Sequence, residues 1–500
     1  MEITLSDVEE KICTLLDQVA LGIKTKNNNA DASAIVLRFA GGWVRDKLLE
    51  IECDDVDVAI DTMTGYDFAL AVEAHLKASG AETGLHIAKI AANPDKSKHL
   101  ETANTKIFGM SIDFVNLRSE EYSADSRIPT MKFGTPLEDA LRRDITINAL
   151  FYNVHTRKGL PDLKDGMVRT PLEPMQTFMD DPLRILRVIR FASRFNYVVH
   201  EDIPPCDAFM SKISRERVGV EVDKMLKGPH PVRAVELMRE FGMYELVFSK
   251  PDSPKSVPLD ANQAVVSMTK MQWMMNNCQA LLPNGLFPLN GAERRLMFLS
   301  AAVIPSHGQT FPDKKTSAPL CKHLVLNSLK LSMHDVDMVA ALLGRAENFH
   351  DTALENKKQP FTRKSLGFAI RSLGAKPLLS NWPLLALTSL VIQTIKQSHG
   401  LDDTNATQLL LEDYQSLFLR VQDLGLLDVY SLKPIIDGRE VSSLLNLRPS
   451  PQIAEALERV IEWQLEHENG TREECIEWLR EQNVAIVSSD LAVHKKPRMH

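Results

Sequence analysis

A chain of 500 residues, 44% hydrophobic, 25% charged and 6% aromatic, has room for several domains and the make-up of an ordinary globular protein. Its formal net charge of -8 excludes a surface coated for nucleic acid, so a polyanion partner must be met by local basic patches. The six cysteines (Cys13, Cys53, Cys206, Cys278, Cys321 and Cys475) form no C-x-x-C pair, which argues for a reducing compartment without a disulfide frame or zinc ribbon.

In chain order, residues 1 to about 30 read as an amphipathic helix. It carries acids where a transit peptide would carry arginines, and no apolar run in the chain approaches membrane-spanning length, so a soluble intracellular protein is expected. From there to about residue 155, β-branched runs alternate with helical segments. "AIVLRFAGG", "DVDVAID", "MSIDFVNLR" and "ITINALFYNV" are predicted strands, and two more short strands flank a polar loop in "LHIAKIAANPDKSKHLETANTKIFG". "HTRKGLPDLKDGMVRTPLEP" reads as a linker. Beyond residue 177 the strand signal stops and helical periodicity runs to the end, with "SKPDSPKSVPLDAN" and "TFPDKKTSAPL" as surface loops. In "DDPLRILRVIRFASRF" Ile185, Val188, Ile189 and Ala192 form a buried stripe.

Three stretches carry chemistry. In "GGWVRDKLLEIECDDVDVAID" the strand places Asp55 and Asp57 on one face and Val56, Val58 and Ile60 on the other. Such a pair is either a solvated edge or a site for Mg²⁺, which takes oxygen ligands and binds through one or two carboxylates plus substrate phosphates. Gly41 and Gly42 are then read as a phosphate cradle at a helix start. Asp113 is the candidate third carboxylate, with an arginine ion pair as the alternative. In "EDALRRDITINALFYN" Arg142, Arg143, Asp144 and Asn148 are either an ion pair of Arg143 with Asp144 at an element boundary or contacts to triphosphate and ribose. In "MDDPLRILRVIRF" Asp180 and Asp181 neighbour Arg184 at a helix start, and Arg187, Arg190 and Arg194 continue a basic flank. This is either a capping salt bridge with a solvated face or an acceptor–donor pair that reads a base edge.

Taken in order, these motifs resemble the class II tRNA nucleotidyltransferases, the CCA-adding enzymes of the polymerase-β-like superfamily. "GGWVRDKLL…DDVDVA" is similar to the first family motif, "RRDITINAL" to the second, "GLPDLKDG" to the hinge, "DDPLR" to the base-reading motif and "SRERVGVEVDKML" to the last, supporting one. The likeness is dense from about residue 35 to 230, and "ANPDKSKHLETANTKIFGMSIDFVNLRSEEY" through "SRIPTMKFGTP" is similar to the eukaryotic branch. Asp180 stands where the family usually has Glu, and "RPSP" stands where the tail often has Pro-Gly.

The resemblance implies an α/β (α+β) nucleotidyltransferase head with a small mixed sheet, followed by an all-α neck, body and tail. Head, neck, body and tail would span 1–160, 161–245, 246–390 and 391–500. It implies addition of CCA to the tRNA 3′ end from CTP and ATP, with two Mg²⁺ ions at Asp55 and Asp57 and Asp113 as a further catalytic carboxylate. The nucleotide would meet Gly41, Gly42, Arg45, Arg142, Arg143, Asp144, Asn148, Arg187 and Arg190, and Asp181 with Arg184 would pair with the base. Asp180, Arg217 and Glu221 would support them. The segment spanning roughly 120–135 would be the family's flexible element. The partners implied are tRNA and nucleoside triphosphates, with no membrane and no zinc; the chain is expected to be a monomer in the cytoplasm, with nucleus or mitochondrion as further compartments. Rival readings are a poly(A) polymerase or a partial CC- or A-adding enzyme on the same motifs, and a catalytically dead tRNA-binding scaffold.

Outside these motifs, Lys314/Lys315 and the cluster Lys357, Lys358, Arg363 and Lys364 are either solvated loops or phosphate contacts. His334-Asp335 and His350-Asp351 invite comparison with a metal phosphohydrolase but lack converging ligands, and Trp463 and Trp478 read as packing residues.

Overall fold

The computed structural model describes residues 3–26, 35–53, 55–80, 86–90, 102–123, 126–151, 163–200, 213–248, 259–277, 289–313, 316–397, 404–448 and 451–481. The chain divides into two compact units, Met1–Pro258 with Asn327–Lys330, and Leu259–Leu326 with Leu331–His500.

The first unit opens on α1 (Asp7–Lys26), started by Ser6 and Glu9, whose side chains and backbone N–H groups satisfy each other as a capping box. Strand β1 (Leu37–Ala40) runs into α2 (Gly42–Leu48), and β2 (Asp55–Ile60) into α3 (Gly65–Ala78), capped by the Thr64 hydroxyl. Strands β3 (Ala88–Ile90), β4 (Thr102–Ile107) and β5 (Met110–Asn116) complete a five-stranded mixed sheet in the order β1-β2-β5-β4-β3. Only β2 and β5 run parallel, with Asp57 opposite Asp113. Alternation buries Val56, Val58, Ile112 and Phe114 and turns the acids to the other face. The small mixed sheet in this head is the one the sequence implies.

Three stretches differ from the sequence reading. The described part of "ITINALFYNV", residues 145–151, is no strand: Thr146–Asn148 form a 3₁₀ turn, and Phe151 bridges to Ala40. The β-branched run suggested extension, but the Asn148 amide donates back to the Asp144 carboxylate at 3.2 Å and closes the turn. The segment expected as the flexible element pairs as a hairpin, β6 (Arg118–Ser123) with β7 (Ser126–Phe133). Strand pairing also recurs beyond residue 177. Strand β9 (Val198–Val199) lies parallel to β8 (Met167–Val168), and in the second unit β10 (Thr310–Asp313) pairs with β11 (Thr316–Pro319) where a loop was expected. Both pairs are too short to leave a periodic signal.

Helices α4 (Pro136–Leu141), α5 (Pro174–Asp180), α6 (Leu183–Phe195), α7 (Arg215–Lys227), α8 (Pro231–Glu240) and α9 (Tyr244–Phe248) complete the first unit. Along α6, Ile185, Val188, Ile189 and Ala192 are buried as the spacing predicts.

The second unit is helical apart from the β10–β11 hairpin among its described residues. Phe349, Trp382, Tyr414 and Phe418 form one aromatic core, with Trp382 and Phe418 stacked at 5.7 Å. Trp463 is buried beside Val460, Cys475 and Leu479, with Trp478 packed on them, as expected of packing residues. The His-Asp dipeptides serve local structure. Asp335 caps its helix through Ser332 and pairs with Arg295, and His350 Nδ1 lies 3.1 Å from the Tyr414 hydroxyl. Lys357 pairs with Asp413 at 2.7 Å, Arg363 with Glu468 at 3.2 Å and Lys364 with Glu466 at 3.1 Å. Lys314 and Lys315 lie outside the described residues. No helix among the described residues is long and apolar enough to cross a membrane.

Candidate active site

Within the first unit, the open face of β2 and β5 looks into a cavity of about 580 Å³. Its lining includes nine arginines (45, 118, 142, 143, 184, 187, 190, 194 and 217) against four acids, Asp57, Glu120, Asp144 and Asp181. A chain of net negative charge thus concentrates guanidinium groups in one place, as a site for a polyphosphate would.

Asp57 is the singular acid. Burial, above all, and then the carboxylates of Asp113, Asp55 and Asp139 push it up to about 6, against the pull of Arg143. Its carboxylate makes no hydrogen bond or ion pair among the described residues, whereas Asp113 accepts from the Asn104 amide at 2.5 Å. Asp55 is exposed at the head of the strand with the Cys53 thiol 3.5 Å away. No group of three potential metal ligands converges among the described residues. Two oxygen donors one residue apart, one of them half-buried and without a hydrogen bond among the described residues, nevertheless fit a hard divalent cation that completes its shell with water and phosphate.

Gly41 is needed for a reason other than the one the sequence suggested. Its N–H is already donated to the Leu150 carbonyl at 2.7 Å, so it is not a bare phosphate donor. Its φ is +64°, and a Cβ there would stand 2.6 Å from Arg143 Nη1. The glycine lets Arg143 and the turn at Asn148, whose carbonyl accepts from Arg143 at 3.0 Å, close over the start of α2. Gly42 lines the cavity.

The double arginine is held from below by Asp139, 1% exposed, a residue the sequence reading passed over. Arg142 Nε donates to its Oδ1 at 2.8 Å, while Arg143 Nε and Nη2 donate to Oδ2 at 3.1 and 2.9 Å. Burial raises the Asp139 carboxyl, but Arg143 and Arg142 outweigh it and hold it below its ordinary value. The D-x-x-R-R spacing in "EDALRRD" is the signal that finds it.

Asp144 does not pair with Arg143, the alternative left open by adjacency. It binds Arg187 Nε at 2.8 Å, and with Asn148 it forms the cavity wall next to Arg45. Burial raises Asp144 as well, yet Arg187 and Asn148 carry it below its ordinary value. Arg45, 4% exposed, donates to Asp46 at 2.7 Å and to the Asn148 amide oxygen, and lies between the rings of Phe191 and Phe195 at 5.2 and 5.0 Å.

Asp181 and Arg184 are brought to one wall but not to each other. Asp181 falls at the break between α5 and α6, where its carboxylate accepts from the Leu183 N–H at 3.2 Å and binds Arg217 Nη2 at 2.7 Å. Arg184 reaches across to the Arg142 carbonyl at 2.7 Å and to Glu120 of the β6–β7 hairpin at 3.9 Å. Of the two readings left open, a capping salt bridge between Asp181 and Arg184 is not formed; two longer-range contacts stand in its place, because Pro182 ends α5 and turns the carboxylate back towards α7. Arg190 is held at 2.6 Å by Glu221, and Asp180 ends α5. Glu120 was also missed: it gathers Arg118, two residues before it on β6, at 3.3 Å and Arg142 at 3.2 Å, and no sequence spacing links it to Arg142.

A mixed sheet presenting Asp57 to an arginine-lined cavity, with Asp55 and Asp113 outside that lining, is the arrangement of a polymerase-type nucleotidyltransferase head. Residues 37–169 match the family model described as the poly A polymerase head domain, and 198–253 the one described as a probable RNA and SrmB-binding site of polymerase A. The chain is 36% identical to the mitochondrial CCA tRNA nucleotidyltransferase of Saccharomyces cerevisiae, over 96% of this chain and 94% of the relative. It is 34% identical to the tRNA nucleotidyltransferase cca2 of Schizosaccharomyces pombe, over 96% and 98%. The chain belongs to the CCA tRNA nucleotidyltransferase family. Its fold is that of the Bacillus stearothermophilus CCA-adding enzyme solved with CTP (TM-score 0.58, 18% identity, 97% and 100% covered) and of a CCA-adding enzyme solved with ATP (TM-score 0.58, 19% identity, 98% and 100% covered).

Proposed function

We propose that this chain adds CCA to the 3′ end of tRNA from CTP and ATP, without a nucleic-acid template. The observation that carries the reading is Asp57, opposite Asp113 in the register of β2 and β5, opening into the cavity of nine arginines. Similarity over nearly the whole chain to relatives named CCA tRNA nucleotidyltransferases supports complete CCA addition over the poly(A) and partial readings, which rest on the same motifs.

Asp55 and Asp57 would hold Mg²⁺, with Asp113 as the further carboxylate beside them. When bound, that metal supplies Lewis-acid stabilisation of the attacking and leaving oxygens. Arg142 and Arg143, pre-set by Asp139, face the triphosphate with guanidinium forks and stabilise charge on the departing pyrophosphate. Asp144, Asn148 and Arg45 orient the ribose, with Gly42 leaving room beside them. Arg187 and Arg190 extend the positive wall, held by Asp144 and Glu221. Asp181 and Arg184 offer an acceptor and a donor to the base edge, supported by Arg217 and Asp180. Base reading then requires each to trade a present partner, Arg217 and Glu120, for the base.

The proposed division is a head over 1–160, a neck over 161–245, a body over 246–390 and a tail over 391–500, the last three following the tRNA. The two compact units of the fold are coarser than this division. We take the acting unit to be a single chain. The designation of the Saccharomyces relative supports a mitochondrial location alongside the cytoplasm.

The test is to compare Asp55→Ala and Asp57→Asn with the unmodified protein. Both variants are expected to lose nucleotide incorporation while retaining tRNA binding in a filter assay. Incorporation unchanged in both would refute the metal assignment, and no incorporation by the unmodified protein would favour the inactive scaffold.

A further inference from the structure

Helix α2 has seven residues, too few to hold its own geometry, yet it lies between the cavity and helix α1. Residues 43 and 47 fall on one of its faces and Arg45 on another. On the first face the only described acid in contact is Glu9 of α1, 3% exposed. Its Oε1 accepts from the Trp43 indole Nε1–H at 2.9 Å, and its Oε2 pairs with Lys47 Nζ at 2.7 Å. The same Oε2 accepts from the Ser6 N–H at 2.7 Å and the Ser6 hydroxyl at 2.8 Å. On the other face Arg45 meets Asn148 and the rings of Phe191 and Phe195.

We propose that Glu9 is a positioning residue for the nucleotide site: through Trp43 and Lys47 it fixes the rotation of α2 and so sets where Arg45 and Gly42 stand in the cavity. Helix α1 is docked by an apolar stripe of Ile12, Leu15, Leu16 and Val19, all buried, which needs no carboxylate beside it. Glu9 nevertheless commits a buried carboxylate to four donor groups, two of them on the helix that carries a nucleotide-facing arginine. Charge and geometry agree. Lys47, Trp43 and Ser6 together overcome the burial of Glu9 and keep its carboxyl below its ordinary value, so it is an anion at neutral pH. The ring of Trp43, 2% exposed, is fixed from its other side by Phe39 at 4.8 Å, edge on, so a change at Glu9 is taken up by rotation of α2.

The inference rests on the nucleotidyl-transfer reading, and its test separates the two. Full-length Glu9→Gln preserves shape and loses the charge facing Lys47, while Trp43→Phe removes the indole donor together with part of the buried ring. For the unmodified protein and both variants, CTP binding is measured by calorimetry, the KM for CTP and for tRNA by primer extension, and the melting temperature in parallel. Loss of one buried hydrogen bond or ion contact that sets Arg45 should raise both the CTP Kd and the CTP KM by about five-fold, with the tRNA KM unchanged. Lys47→Met combined with Glu9→Gln should restore part of the CTP affinity, because it removes the ammonium left unpaired. Unchanged CTP Kd and KM in both variants, or equal loss for CTP and tRNA tracking a lower melting temperature, would overturn the inference and reduce Glu9 to a packing contact. If the unmodified protein incorporates no nucleotide, the functional reading itself falls, whatever the variants do.

Discussion

Asp57 concentrates the conflict between stability and function in one side chain. Its folded pKa of about 6 stands above the ordinary 3.8, so the stability it contributes is present below about pH 4 and is lost as pH rises through 6. At pH 8 the buried, ionised carboxylate costs on the order of 2 kcal/mol in the metal-free protein. Asp57→Asn keeps the shape and removes the charge. In chelator, the variant should melt about 2–4 °C above the unmodified protein at pH 8, and the gap should close towards pH 4. Thermal unfolding followed by circular dichroism checks this; a variant no more stable at pH 8 would mean that burial and the neighbouring carboxylates do not raise Asp57. Saturating Mg²⁺ should stabilise the unmodified protein and leave Asp57→Asn unmoved. At this scale much of the site was legible, because Asp55, Asp57, the double arginine and "DDPLR" stand at spacings their chemistry dictates. Asp139 was equally legible in D-x-x-R-R. Glu120 and Glu9 were not, since Arg142 and Arg184 meet the first, and Trp43 and Lys47 the second, only through tertiary packing.

Between elements, the α5–α6 break and the β6–β7 hairpin decide what Asp181 and Arg184 do. The helix carrying Arg184 was evident from its apolar stripe, whereas the partners of both residues were not. Local spacing favoured a bond between the two, but Pro182 redirects Asp181 to Arg217, and the hairpin brings Glu120 to Arg184. The same limit applies to "ITINAL". Its β-branched residues promise a strand, and a side-chain bond four residues back turns it into a 3₁₀ corner. That corner aims Asp144 and Asn148 into one cavity, which a strand, with alternate residues on opposite faces, could combine with Arg45 less readily. If Arg184 reads the base, Arg184→Ala should lower the discrimination between CTP and ATP roughly ten- to hundred-fold, the worth of one good base contact. Single-nucleotide incorporation after a primer ending in CC measures it, and intact discrimination would remove Arg184 from base reading.

Across the whole molecule, an acidic chain handles polyanions by confining its positive charge. Nine arginines share one cavity, while several basic side chains elsewhere are already engaged, Lys357, Arg363 and Lys364 by acids of their own unit. Exposed pairs of that kind are worth about 0–1 kcal/mol each and exchange readily for phosphate, so their present partners leave the tRNA contacts open to the helical unit. The α/β head and helical remainder were readable from the change in periodicity near residue 177. Two-residue and four-residue strand pairs were not. The central claim is that one site adds two cytidines and then one adenosine. It is tested most directly by incubating the protein and Mg²⁺ with tRNA lacking its 3′ CCA and sequencing the products. CTP alone should yield two added cytidines, ATP alone nothing, and both together CCA with growth ending there; continued poly(A) growth, or arrest after two cytidines with both nucleotides present, would contradict the account.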